Sequence, residues 1–403
     1  MRLSTANQFD VTITNLQSRQ AQLQKSQIQL TSGKRIQQPS DDPTAAAQAE
    51  RSRAEISRVD ADTRALQASQ NAMTLAESAM GDASDILQQI RETLVQAGDG
   101  TYTDSERLAL ASKVQDLRNQ LFTIANRTDG SGNYLFAGQG SGGQPFLDQN
   151  GGVAFVGVAG NNQTGVFGNY PLSVDGRLAW EQARSGNGSF VTSAGTNINS
   201  GDAPGAWIDS GNVLDPKALT GHSYSIQING SAPSQNYVVT DNNTGNVVGT
   251  DAYSSGSAIK FDGMSMTISG SPADGDQFNV DPSAANLHVF DVIDQAISGL
   301  KTASRTGAQV SQANATALRD LDSVMGNMQN VRSQVGETMN NLDNTQSRMA
   351  ALKLNAQTEQ SNAEDLDMVQ GISDFQNQQT GYQAALQTYA TVQRMSLLQY
   401  ITG

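Results

Sequence analysis

Cysteine is absent from these 403 residues, which excludes disulfides, thiolate metal sites and a cysteine nucleophile together. Histidine is almost absent: His222 and His288 are the only two, far apart in the chain. Clustered basic residues are missing as well. The formal net charge is −14, and a phosphate-binding surface needs grouped Lys and Arg, so nucleic acid is not an expected partner. No run of 18 or more apolar residues occurs, so no membrane span is expected. The opening MRLSTANQFD lacks the basic start, apolar stretch and small-residue cleavage site of a secretory signal. The expectation is a cytoplasmic protein, or one exported by a route that uses no such signal.

Charge is scarce at the C-terminal end. From Ile372 to Gly403 only Asp374 and Arg394 are charged, whereas the exposed face of a monomer's helix is normally rich in charge. What is present there is a Gln-rich text with apolar residues spaced alternately by four and three. At the start, Phe9, Ile13, Leu16, Gln20, Leu23, Gln27 and Leu30 keep this period. Near the end, Ile372, Phe375, Gln379, Tyr382, Leu386, Tyr389, Gln393, Ser396 and Tyr400 keep it too. A single helix closing over its own domain would account for one such end. Two point to assembly, with Phe9, Ile13, Leu16, Leu23, Leu30, Ile372, Phe375, Tyr382, Leu386 and Tyr389 as the candidate interface.

Glycine and proline divide the chain into helix, insert, helix. Of 38 Gly, 26 fall between Ser131 and Ala284, with seven of nine Pro; the other two, Pro39 and Pro43, separate the first long helix from the second. Ser40, Asp41 and Asp42 before Pro43 read as a helix cap and not as metal ligands. A second helix is expected to about Ala97, with Val59, Leu66, Met73, Met80, Leu87 and Leu94 every seven residues. A third follows from about Asp104 to Asn126. After a short amphipathic stretch at Phe290, Ile293, Ile297 and Leu300, the longest helix carries Leu321, Met328, Val335, Leu342, Met349, Ala356 and Ala363. A second register beside it holds Val324, Val331, Thr338, Thr345, Leu352, Glu359 and Leu366. The fold class is therefore α+β: a long antiparallel coiled-coil rod formed by both chain ends, with a central β-rich insert.

Within the insert, Tyr224, Ile226 and Ile228 alternate before Asn229-Gly230. Asp262-Gly263 sits between Ile259–Phe261 and the alternating Met264, Met266 and Ile268, a strong hairpin signal. The expected division is terminal helices at 1–41 and 372–403, a helical rod at 42–130 and 285–371, and an exposed insert at 131–284. The insert is expected to divide further into subdomains at 131–215 and 216–284, and a short linker is expected to be able to replace the whole of 131–284.

No catalytic, cofactor or metal site emerges. Gly138, Gly140 and Gly143 fit GxGxxG, but Pro145 follows where a helix should open and Gly160 stands where the ribose-binding acid belongs. The segment from Asp241 resembles an EF-hand loop only in part, with Gly245 one place early and no terminal Glu. Neither histidine has a context that marks a triad.

Three stretches carry a resemblance: LTSGKRIQQPSDDP (Leu30 to Pro43), GNYLFAGQGSGGQPF (Gly132 to Phe146) and ALQTYATVQRMSLLQY (Ala385 to Tyr400). Together they resemble the bacterial flagellin-related axial proteins, and they are most similar to the hook–filament junction members of that family. The resemblance implies terminal helices paired in the wall of a tubular or ring lattice of identical subunits, and an insert exposed outside. It also implies extracellular placement on the flagellum after export without a cleaved signal. The implied partners are further copies of the chain, a preceding hook-associated protein, flagellin, and an export chaperone near the C-terminal helices. The expected function is that of a structural adaptor whose terminal helices fold on assembly. The alternatives are a flagellin filament subunit, a β-domain adhesin on a helical stalk, and a hydrolase inserted in a rod.

Overall fold

The structure, a computed structural model, describes residues 5–140, 142–149, 151–165 and 168–401; the side chains of 5–9, 392 and 394–401 fall outside this description. Helices α1 (Thr5–Ser32), α2 (Pro43–Ala97) and α3 (Asp104–Ala125) precede a β-rich region. That region opens with β1 (Phe146–Gln149), β2 (Gly152–Phe155), β3 (Gln163–Thr164), β4 (Tyr170–Pro171), the short α4 (Gly176–Trp180) and β5 (Ala183–Arg184). It continues through β6 (Phe190–Ala194), β7 (Ala206–Ile208), β8 (Asn212–Val213), β9 (Tyr224–Asn229), β10 (Asn236–Asp241) and β11 (Val247–Ala252). It closes with β12 (Ala258–Phe261), β13 (Met264–Gly270), β14 (Gln277–Pro282) and β15 (Ala285–Leu287), before α5 (Val289–Lys301), α6 (Gly307–Glu364) and α7 (Met368–Ile401). The chain is thus α+β, helical at both ends and β-rich between.

The caps explain where the helices begin. Asp42 accepts from the Ala45 N–H at 3.1 Å and from Thr44 Oγ1 at 2.7 Å, while Asp41 accepts from the N–H groups of Gln37 and Gln38. Both aspartates are spoken for by the turn into α2. Thr103 and Glu106 form a capping box at the start of α3.

Two compact units result, residues 1–64 with 345–403, and residues 65–344. In the larger unit, Leu66, Met73, Met80, Leu87 and Leu94 of α2 and Leu321, Val324, Met328, Val331, Val335 and Leu342 of α6 are buried. Arg91–Asp322, Glu77–Arg332 and Gln70–Asp343 hydrogen bonds join the two helices. One residue number falls as its partner rises, so the helices run antiparallel. In the smaller unit Lys353–Asp60 and Arg53–Glu364 continue the same sense there.

The larger unit holds two separate cores. One joins the helices to Phe136, Phe146, Val153 and Trp180. Trp180 stacks on Phe290 with centroids 5.8 Å apart, Phe136 meets its edge, and Arg118, held by Asp148 and Asp294, lies over the other aromatic partner, Phe290. The other core is wholly β, built on a five-stranded sheet, β11-β10-β9-β14-β6, and a four-stranded one, β12-β13-β7, with β8 beside β13. Phe261 pairs with Met264 across a two-residue turn in which Asp262 and Gly263 have φ of 42° and 77°.

The subdomain division at residue 215 is not where the strands divide. β6 pairs with β14, and β7 and β8 pair with β13, so strands from both sides of 215 share one core. The change of core falls near Ser189 instead. Residues before it pack with helices, and residues from Phe190 to Val280 pack with each other.

Candidate assembly surface

In the smaller unit α1 and α7 lie against each other. Ser26 Oγ donates to Gln378 Oε1 at 2.7 Å, Leu30 lies beside Gly371, and Arg19 lies beside Gly381, which fixes an antiparallel pair. Leu16, Leu23, Leu30, Phe375, Tyr382 and Tyr389 are half-buried. Their half-burial has the spacing of one line of a seam between the two helices, with Leu30 against Gly371. The other line of that seam is Ser26 on α1 and Gly371, Gln378 and Ala385 on α7. It lies one residue away from the line of Ile13, Gln20, Gln27, Ile372, Gln379 and Leu386 expected from apolar spacing. Ile13, Ile372 and Leu386 are consequently exposed, Leu386 at 42%. The side chains of Phe9, Ser396 and Tyr400 lie outside the described residues.

Among the described residues of α1 and α7 no apolar side chain is fully buried. The contrast with α2 and α6, where Val59, Leu66, Met80 and Met328 lose all contact with water, is large. Val11 and Ile28 on α1, and Met368 and Val369 at the start of α7, add to the exposed apolar side chains, with Val369 at 82%. On α6 the register also drifts: Met349, Ala356 and Ala363 stay buried, but Leu352 is exposed where Lys353 turns inward to Asp60. An α-helix of 3.6 residues per turn drifts from a strict seven-residue repeat unless a supercoil corrects it.

The SGKRI stretch is a clamp. Gly33, with φ of 70°, ends α1 in a conformation that favours glycine. Its carbonyl accepts from the Leu366 N–H at 2.9 Å, and the Arg35 N–H donates to the Glu364 carbonyl at 2.7 Å. Lys34 Nζ and Arg53 both donate to the Glu364 carboxylate, and Arg35 Nη2 donates to the Ala363 carbonyl at 2.8 Å. Burial pushes the Glu364 carboxyl up, but Gln360, Lys34 and Arg53 hold it below its ordinary value. Sequence reasoning passed over Glu364 and Arg53; the only signal was an acidic residue ending a long seam. Asp41, hydrogen-bonded by Lys25 and by the N–H groups of Gln37 and Gln38, is lowered to about 2.

The YLFAG stretch has a structural explanation as well. Leu135, Phe136 and Ala137 are buried, and Gly138 has φ of 66° with the Val158 carbonyl 1.9 Å from where a Cβ would stand. No side chain fits there. His222 Nδ1 meets Asp241 Oδ2 at 2.8 Å in the β core, while His288 is the N-cap residue of α5, so the two do not converge. Among the described residues no group of three or more His, Asp or Glu side chains is placed to hold a metal ion. Likewise no described helix is long and apolar enough to cross a membrane.

Both helical ends match flagellin families: residues 3–141 the bacterial flagellin N-terminal helical region, and residues 318–401 its C-terminal helical region. Residues 195–282, nearly the span of the β core, match the D2-like domain of flagellar hook-associated protein 1. The chain belongs to the flagellin-related flagellar proteins. Flagellar hook-associated protein 3 of Escherichia coli K12 is 26% identical over 99% of both chains, and that of Salmonella typhimurium LT2 27% over 99% of both. Xanthomonas campestris FlgL superposes with a TM-score of 0.67 at 29% identity, covering 78% of this chain and 99% of that one. Hook-associated protein 3 from Legionella pneumophila gives 0.70 at 25%, covering 77% and 97%. Within the flagellin-related proteins, the chain's family is that of hook-associated protein 3.

Proposed function

We propose that this flagellar component is a non-enzymatic adaptor joining the hook-associated zone to the flagellin filament. It polymerises with copies of itself in a ring or tubular lattice through its terminal helices. The observation that carries the assembly step is the second apolar line: α1 and α7 satisfy one seam with each other, and Ile13, Ile372 and Leu386 are left outward. Apolar side chains in such a line gain about 1.5–3 kcal/mol each when fully covered, and neighbouring subunits are the available cover. Half-buried pairing within one chain gives α1 and α7 little stability alone, so they become firmly ordered on assembly. Full-length similarity to hook-associated protein 3 relatives favours an adaptor over the flagellin subunit, for which flagellins match mainly shorter stretches.

The partners of this reading are a preceding hook-associated protein, flagellin, and an export chaperone that covers the C-terminal helices before assembly. In this reading the chain works outside the cell, on the flagellum. Immunogold labelling of intact flagella tests the reading: a narrow band at the distal end of the hook is expected. Labelling along the whole filament would replace it with the filament-subunit reading.

A further inference from the structure

The larger unit contains a cavity of about 240 Å³ between the end of α2, the start of α3, α5 and the start of α6. Most of its wall is apolar: Leu94, Val292, Ala296, Leu300, Ala313 and Ala317. Two arginines, Arg107 and Arg305, share that wall. An apolar cavity of about 150 Å³ admits benzene, whereas sites for drug-sized ligands begin near 300 Å³. The space therefore suits one ring or a short alkyl chain with a small polar head.

The charge at the wall selects the head. Arg107 is 12% exposed; its Nη1 donates to the Tyr102 carbonyl at 2.7 Å and its Nη2 to Asp104 Oδ1 at 2.6 Å. Its Nε is buried with no acceptor among the described residues. A buried donor left in that state is costly. Arg305 donates Nη1 to the Gly299 carbonyl at 2.9 Å, and neither burial nor the nearby charge of Arg107 favours its cationic form. The one carboxylate in the wall, Asp320, is already engaged by Arg319 Nε at 2.8 Å. An anion between the two arginines would satisfy the Nε donor and relieve their repulsion.

We propose that this cavity binds a small amphipathic carboxylate, its apolar part among the alanines and leucines and its head group between Arg107 and Arg305. Ser304, with φ of 58° in the connection from α5 to α6, donates its N–H to Asp104 and ties that connection to the Arg107 side of the cavity. Ligand binding then stabilises the helical end of this unit by mass action.

The test uses the full chain with octanoate and 1-octanol as probes, followed by calorimetric titration and thermal melting. Octanoate is expected to bind saturably and raise the melting temperature, with octanol at least about tenfold weaker. Arg305→Gln and Arg107→Lys, which removes the Nε donor, should each weaken octanoate about tenfold or more. Ala313→Leu, filling the cavity, should abolish binding. Should that variant not fold, the two arginine substitutions still decide. Absence of saturable octanoate binding overturns the proposal, as does equal affinity for octanol or unchanged affinity in both arginine variants.

Discussion

Leu386 and Tyr389 are three residues apart on α7, yet they face different neighbours. Tyr389 is half-buried on the seam with α1, and Leu386 is 42% exposed. Placing a charge at each separates the pair within one chain from the contact between chains. Leu386→Asp should leave the circular dichroism of the monomer unchanged and abolish attachment to hooks. Tyr389→Asp should lose helical signal as well as attachment. Normal attachment of Leu386→Asp would remove the outward line from the interface. In the β core the informative residue is Asp241. Burial pushes its carboxyl up, but His222 and the N–H groups of Asn243 and Thr244, with the Thr244 side chain, bring it down to about 2. Its folded value lies below the unfolded one near 3.9, so the stability it contributes is present above pH 4 and is lost as the pH falls through 2. Asp241→Asn should therefore be less stable than the parent at pH 5 in urea unfolding, and the gap should close toward pH 2. A gap independent of pH would show that the carboxylate charge is not what matters. None of this was legible from the segment's partial likeness to a calcium loop, because the residue that bonds Asp241, His222, stands just before β9, the neighbouring strand, outside that segment.

At the scale of the element, the clamp between residues 33–36 and 363–366 holds the link from α1 to α2. Beside its backbone hydrogen bonds it has one carboxylate, Glu364, with Lys34 and Arg53 on it. Glu364→Gln keeps the size and removes the charge. A loss of about 1 kcal/mol opens the link about five times more often, and Lys34 and Arg35 are themselves trypsin sites. Tryptic cleavage at this link should rise about fivefold while the far-ultraviolet circular dichroism stays the same; an unchanged rate would place the restraint elsewhere. The helices themselves were readable: α2, α3 and α5 start or end within a residue of where caps, glycines and apolar spacing put them. One line of the α1–α7 seam was readable too, through Leu16, Leu23, Leu30, Phe375, Tyr382 and Tyr389. The other was not, since Ser26, Gly371, Gln378 and Ala385 are small or polar and carry no apolar signal. Where such residues face inward, the nearest apolar ones, Ile13, Ile372 and Leu386, draw the expected seam one position too far round.

For the whole molecule the question is how much of the β-rich region the helices need. Composition drew one insert from 131 to 284, since glycine and proline are dense throughout it. Packing draws a different line, because Phe136, Phe146, Val153 and Trp180 belong to the core that contains α2, α3, α5 and α6. Loss of one buried large aromatic costs about 3–5 kcal/mol, and a domain's whole stability is about 5–15 kcal/mol. Removing Phe136, Phe146 and Trp180 together costs about 9–15 kcal/mol on that scale, as much as a domain's whole stability. A linker replacing 131–284 should give an unfolded protein. Replacing only 190–282 should not. Phe190 pairs with Pro282, and the Ser283 N–H donates to the Ser189 carbonyl at 3.1 Å, so the two cut ends are already adjacent. The deleted segment takes its own core with it, and the groups it leaves on α6, Gln312 and Arg319, are polar ones that water can serve. Trp180 is then the only tryptophan, and its buried emission reports the remaining core directly. The expected result is blue-shifted Trp180 fluorescence, a cooperative helical melt and retained attachment to hooks, since the outward lines of α1 and α7 are untouched. A 190–282 deletion that stays unfolded at every linker length would show that the β core supports the helices after all, and that the change of core at Ser189 is not a folding boundary.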